Sequence, residues 1–127
     1  MIDHATLQAW LNRYVAAWHS CDPAEIGDLF TPDATYRYHP ADEPVTGRNA
    51  IVASWLDEPD EPGTFDAEYH PFAVDGPRAV ATGWSRYFTD ASRNEVRAVY
   101  DNCYAMEFSE DGRCSWFVEW FRERPQG

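Results

Sequence analysis

The sequence predicts an α+β fold, with three N-terminal helices packed on one face of a curved, mostly antiparallel sheet. Three observations carry that prediction. Apolar residues recur at helical steps in three separate runs ahead of the acidic stretch "DEPDEPG". Beyond Thr64 the chain reads as long alternating strands broken by short turn signals. At 127 residues, it has the length for one core and lacks the length for two, so residues 1–127 are expected to form a single domain.

Leu7, Trp10, Leu11, Tyr14 and Trp18 fall at three- and four-residue steps and define one face of a helix from about His4 to Ser20, with Asp3 as its cap. In "CDPAEIGDLF", Asp22 caps a second, short helix, Pro23 suits its first position, and Glu25 stands where a capping-box partner belongs. Ile26, Leu29 and Phe30 then face inward. "TPDATYRYHP" switches to period two, setting Ala34, Tyr36 and Tyr38 against Thr35 and Arg37, and Pro40 and Pro44 end the strand. "TGRNAIVASWL" predicts the third helix, capped by Thr46, with Ile51, Trp55 and Leu56 on its buried side. "DEPDEPG" is expected to be an exposed loop at the rim. Four strands follow, "TFDAEYHPFAVD", "RAVATGWSRYFT", "VRAVYDNCYAMEF" and "RCSWFVEWFRER", joined by "GP", "DASRNE" and "SEDG". The tail "RPQG" is expected to fray.

Composition narrows the function classes. Six Trp, seven Tyr and seven Phe supply more ring surface than closing a small core requires, so a pocket or an oligomer interface should use the excess. A formal charge of −12 and a pI near 4.5 set a field that repels phosphate backbones and anionic lipid, which excludes nucleic acid and membrane surfaces as partners. Cys21, Cys103 and Cys114 are odd in number and lack a paired spacing, and are expected to be buried free thiols. The N-terminus lacks the charged-then-apolar pattern of a signal peptide, and no stretch is apolar for long enough to span a bilayer; a cytoplasmic protein is expected. His4, His19 and His70 share no ligand spacing with His39, so no metal is assigned, and no glycine loop or serine elbow implies a cofactor or a hydrolase nucleophile.

The order of elements, the segment "RYVAAWHSCDPAEIGDLFTPDATYRYHP", the "GRNAI" helix start and the hairpin "MEFSEDGRCSWFVEWF" resemble the nuclear transport factor 2-like superfamily, in its SnoaL-like and ketosteroid isomerase-like branch. The resemblance spans nearly the whole chain. It implies a cone-shaped fold enclosing one pocket between the helices and the concave face of the sheet. The alternation of "VRAVYDNCYAMEF" turns Val96, Ala98, Tyr100, Asn102, Tyr104, Met106 and Phe108 toward that pocket. In the strand before it Ala79, Ala81, Gly83 and Ser85 are small and leave room, while Val80, Trp84 and Phe88 occupy the other face. The likeness to epoxide hydrolase endings puts Ser115, Phe117 and Glu119 inward, and Trp116, Val118 and Trp120 outward.

Set beside ketosteroid isomerases, Tyr14 falls where the oxyanion-donating tyrosine lies, and Tyr104 aligns with the second donor, an aspartate in that family. The alternatives are a core tyrosine whose hydroxyl meets a backbone group for Tyr14, and a hydroxyl that only solvates a buried water for Tyr104. The general-base slot is His39 when Pro40 is matched and Tyr38 when residues are counted without a gap. An imidazole there could take a proton at neutral pH; as a rim histidine it would merely bond the following loop. Asn102 adds an amide one inward step away, for a substrate or a buried water. Glu119 aligns with a catalytic acid of limonene epoxide hydrolase, but the Arg and Asp completing that trio fall on Gly83 and Ser85, which disfavours epoxide hydrolysis. In an aromatic cavity Glu119 should hold its proton to higher pH, unless Arg37 or Arg86 pairs with it.

The expectation is therefore a small, cofactor-independent enzyme, moving protons on an apolar carbonyl compound as an isomerase, cyclase or dehydratase. Its site would comprise Tyr14, His39, Asn102, Tyr104 and Glu119, in a cavity shaped by Trp18, Phe30, Tyr36, Tyr38, Trp55, Tyr100 and Phe117. The alternative is a noncatalytic module binding a small hydrophobic ligand or a protein partner. A homodimer through Trp84, Trp116 and Trp120 on the convex face fits either reading.

Overall fold

The computed structural model describes residues 2–125. Helix α1 runs His4–Ser20, and the Asp3 carboxylate caps it by accepting from the Thr6 amide at 2.7 Å. Its buried stripe is Leu7, Trp10, Leu11, Tyr14 and Ala17, and it stops where Cys21 takes a left-handed conformation, φ 54°. Helix α2, Pro23–Gly27, is capped by Asp22. Glu25 supports that cap through a relay: the Asp22 amide donates to Ser20 Oγ at 3.2 Å, and Ser20 Oγ donates to Glu25 Oε2 at 2.7 Å.

Strand β1, Phe30–Arg37, takes a two-residue partner, β2, Val45–Thr46. That pairing corrects one expectation. Thr46 lies opposite Thr35 in the ladder, so helix α3, Arg48–Asp57, starts from Gly47, which has a positive φ of 95° and no side-chain cap. Ile51 is buried on α3, whereas Trp55 and Leu56 are only half-buried. Four long strands follow: β3 Phe65–Asp75, β4 Arg78–Phe88, β5 Val96–Phe108 and β6 Cys114–Glu123. They match the alternating runs of the sequence to within a residue at each end. The sheet order is β2-β1-β6-β5-β4-β3, with the β1/β6 pair parallel and the other pairs antiparallel. Closing the parallel pair brings the last strand back beside the first, so β6 sits centrally and its inward residues meet side chains from β1 and β5.

Helix α1 packs on β3, and α3 packs on β1. Between them lies an aromatic core of Trp10, Phe30, Tyr36, Phe117 and Phe108, all buried; each such side chain removed from water contributes about 1.5–3 kcal/mol. The Trp10 indole donates to the Leu29 carbonyl at 3.1 Å, satisfying its one polar atom. Among the described residues no helix is long and apolar enough to cross a membrane. Cys114 is buried, but Cys21 and Cys103 are only half-buried, correcting the expectation that all three pack in the core. Arg124 departs from the frayed-tail expectation by pairing with Asp101 at 2.7 Å, while Gln126 and Gly127 lie outside the described residues.

The inward alternation holds along β5 from Ala98 on, where Ala98, Asn102, Tyr104, Met106 and Phe108 are buried, and along β4, where Ala79, Ala81 and Ser85 are; Val96, at the open start of β5, is exposed instead of inward, and Tyr100 is half-buried. Phe88 is buried too, but apart from the main core, under the guanidinium groups of Arg86 and Arg93, each 5.1 Å from its ring. Gly83 has a specific task in β4. A Cβ there would lie 2.0 Å from the Glu68 carbonyl oxygen and 2.6 Å from Cδ1 of Tyr69, so the missing side chain is the space that Tyr69 occupies. Gly83→Ala should therefore destabilise the fold by about 1–3 kcal/mol, the cost of overpacking a site that cannot relax, measured as a lower urea midpoint. Unchanged stability would mean that the β3 backbone at Glu68 and Tyr69 gives way freely.

Candidate functional site

Strand parity and helix phase converge on one cavity of about 580 Å3. Tyr14, Ala17 and Trp18 reach it from α1, Tyr36 and Tyr38 from β1, and Ser54, Trp55 and Leu56 from α3. Ser85, Asn102, Tyr104 and Glu119 close it from the sheet, and the loop Glu58–Asp60 borders it. Four of the five expected catalytic residues, Tyr14, Asn102, Tyr104 and Glu119, therefore meet on one lining.

The fifth does not. His39 is exposed in the turn after β1, its ring edge-on to Phe121 at 6.3 Å and its Nδ1 3.4 Å from the Ala41 amide. The physical cause is where the strand ends. Parity carries Ala34, Tyr36 and Tyr38 to the cavity side, and the chain turns before another inward position arises. So Tyr38, the ungapped match, is the residue on the lining, with its hydroxyl 2.6 Å from Ser54 Oγ. Phe30 and Phe117 also stand apart from the lining. They are fully buried beneath it, where Phe117 stacks on Tyr36 at 4.4 Å and on Tyr14 at 5.6 Å and fixes both rings.

Two polar chains cross these walls. In one, Ser85 Oγ donates to Asn102 Oδ1 at 2.9 Å, and Asn102 Nδ2 donates to Glu119 Oε2 at 2.8 Å. Ser85 thereby sets which end of the amide faces the carboxyl. Burial pushes the Glu119 carboxyl up to about 7, and the bond from Asn102 offsets only part of that rise. Neither expected arginine reaches it: Arg86 binds Asp66 at 2.8 Å, and Arg37 donates to the Asp42 carbonyl at 3.2 Å.

In the other chain, the Tyr14 and Tyr36 hydroxyls share a hydrogen bond at 2.7 Å. Burial, with the Glu119 charge adding to it, raises Tyr14, Tyr36 and Tyr104 well above the ordinary phenol value. These hydroxyls remain neutral donors at any working pH. Tyr69, packed against Gly83, sits 4.8 Å from Tyr104 ring to ring, and burial raises its phenol above the ordinary value.

Chemically, a carboxyl poised near neutrality beside neutral phenols can exchange a proton with a ligand while the phenols stabilise a developing oxyanion. Ser85 lines the cavity as the small-residue face of its strand predicted, whereas sequence reasoning missed Ser54, Tyr69 and Tyr87. The alternation Phe65, Ala67, Tyr69 along β3 carried a signal for one of them, and the other two needed the packing between elements. Among the described residues no three His, Cys, Asp or Glu side chains gather as a metal site would require.

The SnoaL-like domain model matches residues 11–117. Among solved structures, an NTF-2 like protein of unknown function from Burkholderia xenovorans LB400 superposes with a TM-score of 0.71 at 17% identity, over 97% of this chain and 88% of that one. A putative ketosteroid isomerase from Kribbella flavida DSM 17836 gives 0.69 at 18% identity, over 98% and 84%. At such identities, the likeness concerns the fold. No curated protein matches the sequence.

The raised carboxyl makes a stability prediction. Glu119 binds its proton more tightly folded than unfolded, so its contribution to stability is fully present below about pH 4.5 and is lost as pH rises through about 7. Relative to Glu119→Gln, which carries no such proton, the native protein should lose up to about 3 kcal/mol across that window. Chemical denaturation of both proteins at pH 4.5, 6 and 8 measures the difference, and parallel pH profiles would show that the carboxyl titrates normally.

Proposed function

The chain belongs to the SnoaL-like domain family, and we propose that it is a small enzyme, one such domain across residues 1–127, that moves a proton on an apolar carbonyl compound without a cofactor. The observation that carries this reading is Glu119, a cavity-facing carboxyl raised to about 7 with a neutral amide as its hydrogen-bond partner. Glu119 takes the proton from the carbon next to the carbonyl and returns it elsewhere, which gives isomerisation, or initiates cyclisation or loss of water. Tyr104 and Tyr14 donate to the enolate oxygen, and Asn102 orients the carboxyl rather than the substrate. The base assigned to His39 on sequence grounds passes to Glu119, because an exposed imidazole outside the lining lacks reach.

A second reading has its own support. The Tyr14 hydroxyl is already satisfied by Tyr36, and a wall so rich in rings would hold an apolar ligand without reacting with it. For either reading we propose a homodimer through the outer face of the sheet, where Trp116 and Trp120 are 37% and 46% exposed and Trp84 is half-buried.

Deuterium incorporation separates the two. The protein is incubated in heavy water with cyclic enones and β-diketones and followed by NMR. Exchange is expected to fall at least about 100-fold in Glu119→Gln, the scale of general acid–base assistance, by less in Tyr104→Phe, and to survive in His39→Ala. Exchange that Glu119→Gln leaves intact sinks the assignment of the base. Binding without any exchange supports the binding module.

A further inference from the structure

The cavity carries a charge sign that its proposed chemistry does not require. Asp57, Glu58, Asp60 and Glu119 line it, and among the described residues Arg97 is the one cationic side chain that does so. The placement of these acids runs against the fold's own preference. Helix α3 ends at Asp57 with no basic residue in its last turn, so Asp57 and Glu58 lie where the carbonyl end of the helix already gathers partial negative charge. A surface shaped by stability alone would put cations there.

The neighbouring wall suits what those acids attract. Trp18 donates its indole N–H to Asp60 at 3.0 Å, and its ring lies 6.0 Å from that of Tyr87, whose hydroxyl feels the Asp60 charge. Two ring systems and a carboxylate thus share one corner of the cavity. Ring faces attract cations through their quadrupole, and this wall already holds one: the Arg97 guanidinium carbon lies 5.1 Å from the centre of the Tyr87 ring. Deeper in, Glu119 is bonded by a neutral amide, and neither Arg86 nor Arg37 supplies it with a countercharge.

We infer that the cavity selects a ligand bearing an organic cation, a protonated amine or quaternary ammonium on an apolar ring system, with its nitrogen in the corner formed by Trp18, Tyr87 and Asp60. Carboxylates and phosphates of the same size are rejected by the same field. The inference rests on this cavity being the ligand site, as in the proposed function, and does not depend on Glu119 moving a proton. For an enzyme of that kind it narrows the substrate to amine-bearing carbonyl compounds.

The test uses three ligands with one bicyclic skeleton: β-aminotetralin, protonated at neutral pH, the neutral β-tetralol, and the anionic tetralin carboxylate, titrated calorimetrically into the full chain at pH 7.5 and low salt. The ammonium should bind at least tenfold tighter than the alcohol, and the carboxylate weakest of all. That preference should shrink severalfold at high salt and in the triple variant Asp57→Asn, Glu58→Gln, Asp60→Asn, whose amides keep the acceptor for Trp18. An alcohol binding as tightly as the ammonium overturns the inference, as does a preference indifferent to both salt and the variant, or no binding of any of the three at millimolar concentration. Deuterium exchange into β-tetralone is read separately. Exchange without an ammonium preference removes only this inference, and an ammonium preference without exchange removes only the enzyme reading.

Discussion

The site turns on the desolvation of one carboxyl. Strand β6 reverses its facing at each residue, and parity that buries Phe117 under the tyrosines necessarily brings Glu119 to the same side. Once there, an ionised carboxylate has lost much of its water, and the compensation on offer is a single amide. The buried charge is therefore costly, and the carboxyl responds by holding its proton to near neutrality. Asn102 has to present its nitrogen and not its oxygen for even this compensation to work, and Ser85 ensures it by donating to the other end. A fully apolar wall would leave Glu119 permanently neutral; an arginine would leave it permanently charged. The amide keeps both protonation states within reach.

The aromatic wall follows from the same constraint. Phe117 stacks on both Tyr14 and Tyr36, and Tyr104 packs 4.8 Å from Phe117, so a buried phenylalanine serves as the base on which the phenol rings are set. Their hydroxyls stay neutral because burial and the neighbouring Glu119 charge both oppose phenolate. Donor and carboxyl thus tune each other: the group that gains a charge near neutrality makes its neighbours less able to lose a proton. Gly83 sits behind this arrangement, since Tyr69 could not approach Tyr104 past any side chain at that position.

What could be read from the sequence was whatever depends on periodicity. The caps at Asp3 and Asp22, the ends of β5 and its inward set from Ala98 to Phe108 are local consequences of spacing and turn chemistry, and they fold as read. The departures have a common origin in pairing between distant segments. Thr46 has every property of a helix cap, yet β1 takes it as a ladder partner. His39 has the chemistry of a base but not the position: its place one residue beyond Tyr38 turns a plausible base into a rim residue, and no reading of spacing separates the two until the strand's last inward residue is known. The Ser85–Asn102–Glu119 chain was likewise out of reach, because it joins three strands whose relative register no single stretch of sequence encodes.

The acids at the mouth pose the opposite problem, since they are visible in the sequence and unexplained by stability. Asp57 and Glu58 add negative charge at the negative end of α3, in a chain whose formal charge is already −12. Where local preference and global structure agree, a sequence needs no further account; where they conflict, function is the usual reason for tolerating the cost. Here the conflict falls on the border of the cavity that contains Glu119. A ligand cation drawn to that border would also stabilise the ionised form of Glu119, so the charge that guides a substrate in and the charge that takes its proton would act in the same direction.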